Sequence, residues 1–87
     1  MSPSLEIKVT LKLFAIFAEV IGQSELELTL NPNTTVEQAL ELILQKYPSL
    51  TSWRSRLRYG VNLEFVTPDH QLQAGDQVVF IPPVSGG

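Results

Sequence analysis

Residues 7–14 read Ile-Lys-Val-Thr-Leu-Lys-Leu-Phe, with Ile7, Val9, Leu11 and Leu13 alternating with Lys8, Thr10 and Lys12. A period of two predicts a strand with one face buried and one wet. Phe14 falls on the wet face, where a polar residue is expected. After the turn residues Gly22-Gln23-Ser24, Leu26, Leu28 and Leu30 alternate with Glu25, Glu27 and Thr29, predicting a second strand that Asn31-Pro32-Asn33 ends. The polar connection predicts that these two strands form a hairpin.

From Thr34-Thr35 the period changes. Val36, Ala39, Leu40, Ile43 and Tyr47 recur at spacings of three and four, predicting an amphipathic helix. A capping box starts it, Thr35 with Gln38 or Thr34 with Glu37, and Pro48 ends it. Residues 49–58 read as a polar connection with anchors at Leu50, Trp53 and Leu57, the tryptophan serving as a lid on the core. Val61–Val66 predicts a third strand, Pro68-Asp69-His70 and Leu72–Asp76 turns, and Val78–Ile81 the last strand, stopped by Pro82-Pro83. The order strand, strand, helix, strand, strand predicts an α+β fold with the helix on one sheet face. If strands one and four are central and parallel, the sheet is mixed and the arrangement is the β-grasp. The expected division is a domain over residues 1–81 and an extended tail over 82–87.

Composition narrows the chemistry. Eighty-seven residues suit one small domain, and 44% apolar content argues for a folded core. There is no cysteine, which removes disulfides, thiolate metal sites and side-chain persulfides, and one histidine alone builds no zinc site. Nine acidic and six basic residues give a net charge of −3; Arg54, Arg56 and Arg58 are too few for a nucleic-acid footprint and read as a solvated loop. No apolar run reaches the roughly 20 residues that span a bilayer. The expectation is a cytoplasmic protein with no metal, no nucleic acid and no membrane partner.

The tail is the informative segment. Pro82-Pro83 impose an extended exit, and Val84, Ser85, Gly86 and Gly87 follow. Six residues reach roughly 20 Å. Bare Gly-Gly backbone can thread a narrow channel and lay its carboxylate in another protein's active site, so a side chain at Gly86 is expected to obstruct transfer. A carboxylate is a poor electrophile until ATP converts it to an acyl-adenylate. Sulfur can then displace AMP and leave a thiocarboxylate on Gly87, the one place where a chain without cysteine could carry sulfur covalently.

The run Leu72-Gln73-Ala74-Gly75-Asp76-Gln77-Val78-Val79-Phe80-Ile81-Pro82-Pro83-Val84-Ser85-Gly86-Gly87 resembles the end of the molybdopterin synthase small subunits, ubiquitin-like β-grasp sulfur carriers. Leu13-Phe14-Ala15, Glu19-Val20-Ile21-Gly22 and Val61-Asn62 resemble them more weakly; Ala18 departs, since many members carry arginine there. The resemblance implies that an E1-like enzyme uses ATP to adenylate Gly87 and then sulfurates it. It implies further that the tail enters the large synthase subunit and gives sulfur to a pterin precursor of the molybdenum cofactor. No cofactor would be bound by the carrier itself. Carriers for thiamine or cysteine synthesis, a ubiquitin-like modifier and a non-catalytic binding module stay open as alternatives. Strand parity assigns Val78 and Phe80 to the core and gathers Phe14, Phe65, Val79 and Ile81 into an apolar patch at the tail root. This patch is the expected docking face for both partners.

Overall fold

A computed structural model of the chain describes residues 5–83. The first strand, β1, covers Ile7–Lys12 and buries Val9 and Leu11, as the alternation requires. It pairs antiparallel with β2, Glu25–Leu30, in a register that sets Val9 opposite Leu28 and Leu11 opposite Leu26. The pairing is the expected one, but the connection is not. A helix, α1, occupies Ala15–Ile21, and β1 stops at Lys12 rather than running to Phe14. Phe14 is the extended residue capping α1 (φ −132°, ψ 155°), and its side chain makes no capping hydrogen bond. Gly22 closes the helix at φ 81°, donating its N–H to the Ala18 carbonyl. A left-handed glycine is a common helix stop. The helix places Phe17, fully buried, beneath the sheet.

The second helix, α2, runs Val36–Lys46 behind a reciprocal Thr35–Gln38 capping box. Its apolar stripe of Val36, Ala39, Leu40 and Ile43 is buried, together with Leu44. A 3₁₀ segment, Pro48–Arg56, then buries Leu50 and rests Trp53 half-buried against the core.

The expected third strand is two strands. Arg58–Val61 form β3 and Glu64–Val66 form β4, joined by Asn62 and Leu63 at φ 52° and 71°. Two consecutive left-handed residues reverse the chain in a tight hairpin. This separates Val61, which is buried, from Leu63 and Phe65, which are exposed, whereas alternation along the single expected strand Val61–Val66 would set all three on one side. The last described strand, β5, is Gln77–Ile81. It lies between β1, which it parallels, and β3, which it opposes, in a five-stranded order β2-β1-β5-β3-β4. This mixed sheet with helices on one face is the β-grasp architecture.

Candidate docking face and tail root

The register places the site residues by rows. On the core face, Leu11, Val78 and Val61 form one row, and Phe80, Tyr59 and Val66 form another. Phe80 packs its ring 6.0 Å from Phe17 and 6.0 Å from Tyr59, the latter edge-on. Burial holds the Tyr59 hydroxyl above the ordinary tyrosine range, with the Glu37 charge adding to this and Arg54 opposing it, so the ring is neutral at physiological pH.

On the opposite face one row runs Lys12, Val79, Gly60, Phe65, and the next pairs Ile81 with Arg58. Val79 and Ile81 are half-buried, Phe14 is 57% exposed and Phe65 70%. Three adjoining hollows connect them. The first is lined by Lys12, Phe14, Leu63 and Val79 among others, the second by Gly60, Leu63, Glu64, Phe65, Val79 and Ile81, the third by Phe65, Ile81, Pro82 and Pro83 with Arg56 and Arg58. Neighbouring hollows share Leu63 and Val79, then Phe65 and Ile81, so they form one trough from Phe14 to the start of the tail. Pro82 is half-buried and Pro83 exposed at its end. Val84, Ser85, Gly86 and Gly87 lie outside the described residues.

The trough owes its depth to Gly60. A β-carbon there would meet Val79 Cγ1 at 2.8 Å, so any other residue would fill the floor and displace Val79. A glycine inside a strand pattern signals such close approach, and this signal was present in the sequence. Leu63 joins the trough through its positive φ, at a position where asparagine or glycine is usual.

The hairpin tip that carries Leu63 is held by Asn62. Its backbone N–H donates to the Gln77 carbonyl (2.8 Å), its Nδ2 donates to Asp76 Oδ1 (2.9 Å), and its Oδ1 accepts from Gln77 N–H (2.9 Å). Asp76 Oδ2 in turn accepts from Gln73 N–H at 2.8 Å. Asn62→Ala removes two of these bonds and the residue type that best tolerates left-handed backbone. The expected loss is about 1–3 kcal/mol, read as a fall in the urea midpoint at unchanged slope.

Among the described residues, no group of three histidine, aspartate or glutamate side chains is placed to hold a metal ion, and no helix is long and apolar enough to cross a membrane. The face itself is a largely apolar trough that ends at Pro82 and Pro83.

The ThiS family pattern matches residues 11–87. The chain belongs to the ThiS family. Within reach of that family, the molybdopterin synthase sulfur carrier subunit of Arabidopsis thaliana is 37% identical over 84 residues, covering 97% of this chain and 85% of that protein. The crystal structure of SAMP1 from Haloferax volcanii superposes with a TM-score of 0.78 at 30% identity, covering 92% of this chain and 99% of that one. At 22% identity, a chain in the complex of subunits 1 and 2 of the Helicobacter pylori molybdopterin-converting factor shares the fold, with a TM-score of 0.64 over 93% of this chain and all of that one. The resemblance noted in the tail thus extends across the whole domain, and the ubiquitin-like sheet order agrees with it.

Proposed function

We propose that the protein is the sulfur carrier subunit of a molybdopterin synthase, working through the carboxylate of Gly87. The observation that carries this reading is the 37% identity to the Arabidopsis thaliana sulfur carrier subunit over 97% of the chain. The family match, which runs through residue 87, supports it. In this reading an E1-like enzyme spends ATP to adenylate Gly87, and sulfur then displaces AMP to give the thiocarboxylate. The large synthase subunit receives the tail and passes the sulfur to the pterin precursor. The carrier binds no cofactor; it supplies a carboxylate at a fixed reach from Ile81 and a face by which partners hold it. Both partners need the same tail, so they compete for the trough.

The intact mass of protein purified from its native cell tests the reading. The expected result is an oxygen-for-sulfur increment confined to the last peptide. A persistently unmodified terminus in cells actively making the cofactor would overturn it. Likeness to SAMP1 and to a chain named small archaeal modifier protein 1, both from Haloferax volcanii, favours a second reading in which the same adenylate acylates lysines. Branched peptides carrying Gly86-Gly87 on a lysine would mark that outcome.

The trough gives a separate prediction. Phe14→Ala and Ile81→Ala are expected to weaken binding to the large subunit by roughly 1–3 kcal/mol each, the range of interface anchors. Phe14 costs little stability because more than half of it is already in water. Titration calorimetry beside thermal melts checks this. A large melting shift with unchanged affinity would place the docking surface elsewhere.

A further inference from the structure

The three alternating arginines of the sequence have three different fates. Arg54 pairs with Glu41 beside α2. Arg56 lies with its guanidinium 4.6 Å from the Trp53 ring centre and donates to the Ser52 carbonyl at 3.4 Å. Arg58, on the open face opposite Ile81, lies 5.8 Å from the Phe65 ring centre. Arg56 and Arg58 line one groove with Phe65, Ile81, Pro82 and Pro83, and no carboxylate lines it. Both are exposed, and among the described residues neither has an acidic partner.

We propose that this groove at the tail root binds a carboxylate-bearing segment of the large synthase subunit, with Arg58 and Arg56 reading its charge. The inference rests on the carrier reading above and names the chemistry of the partner surface. A guanidinium held against an aromatic ring is oriented in advance, and its remaining N–H groups match a planar carboxylate. The groove carries positive charge on a chain whose net charge is −3, so two copies apposed groove to groove would repel one another at this site. Two guanidiniums without an acidic partner around an apolar floor also fall short of the phosphate contacts that nucleic-acid affinity needs. At the far end of the trough, Lys12 is neutralised by Glu25 at 2.5 Å. The cations Arg56 and Arg58 thus stand where the tail leaves, Glu64 lines the middle hollow and the Lys12–Glu25 pair lines the Phe14 end, so the unpaired positive charge of the trough lies at the tail root.

The test uses the full chain and the purified large synthase subunit of the same organism, with association rates and Kd measured from low to high salt. Arg58→Glu is expected to raise Kd about tenfold or more at low salt, mostly through slower association. The difference should shrink toward none near 1 M salt, where the Debye length is about 3 Å. Arg56→Glu with Arg58→Glu should exceed either alone, and Arg58→Lys, which keeps the charge but loses the ring-stacked planar fork, should fall between wild type and Arg58→Glu. Should the charge reversal disturb the fold in a thermal melt, Arg58→Gln replaces it, with a smaller loss and the same salt dependence. Equal binding by wild type and Arg58 variants at all salt concentrations overturns the inference while leaving the carrier reading intact. Arg58-sensitive binding of a single-stranded oligonucleotide, with the large subunit indifferent to Arg58, overturns it in favour of nucleic acid. A wild-type chain that does not bind the large subunit at all overturns both readings.

Discussion

Deleting Gly87, or adding one residue after it, is expected to abolish sulfur delivery and leave the melting curve unchanged. The physical ground is reach. Ile81 is fixed in β5, which is bonded on both sides, to β1 and to β3. Pro82 and Pro83 then restrict the backbone to extended conformations. The start of the tail is therefore fixed, and one residue changes its maximum reach by roughly 3.3 Å. Reacting groups misplaced by about 1 Å can already lose a hundredfold in rate. Reconstitution with the activating enzyme and large subunit, scored by pterin sulfuration, checks the result. An extended chain that delivers sulfur without being trimmed would show that the terminus is not the carrier atom.

The largest effect on stability is expected at Phe17. Phe17→Ala should cost about 3–5 kcal/mol, the range for emptying a buried aromatic site. A domain of this size has roughly 5–10 kcal/mol in total, so the variant should be substantially destabilised in urea titrations. Phe17 has no exposed surface and its ring meets Phe80, which contacts Tyr59 in turn. Phe17→Leu keeps most of the volume and should cost less than about 1.5 kcal/mol. A loss below 1 kcal/mol for the alanine variant, on the order of a surface change, would mean that α1 is not integral to the core.

Phe17 also shows where the sequence was hard to read. Alternation gave the faces of β1, β2 and β5 because burial on one side of a sheet writes a period of two into the residues. The Thr35–Gln38 box located the start of α2 because capping needs those side chains. α1 lacks both signals: it has seven residues, its first turn has no acidic residue, and its cap is Phe14, whose side chain makes no hydrogen bond. Gly22 stood in plain view but has the same form as a hairpin glycine. β3 and β4 merged into one expected strand because their turn is Asn62-Leu63 instead of asparagine followed by glycine. Phe65 was assigned to the open face, and it lies there, but through a hairpin and not through the parity that suggested it. The roles of Arg56 and Arg58 were hidden because each depends on a ring brought up by the fold, Trp53 for one and Phe65 for the other.

The pairing of β1 with β5 has a consequence for how the chain is made. The first strand finds its parallel partner only after some sixty further residues have been synthesised, a separation that the register of Thr10 with Gln77 makes explicit. Until β5 is available, β1 and β3 have no strand between them, and the core lacks Val78 and Phe80. A nascent chain interrupted before Gln77 is therefore both unfinished as a fold and without its tail root. Proteases that clear unfolded chains would remove such products, so a folded domain that presents Pro82 is, by its own topology, one whose synthesis has passed through β5.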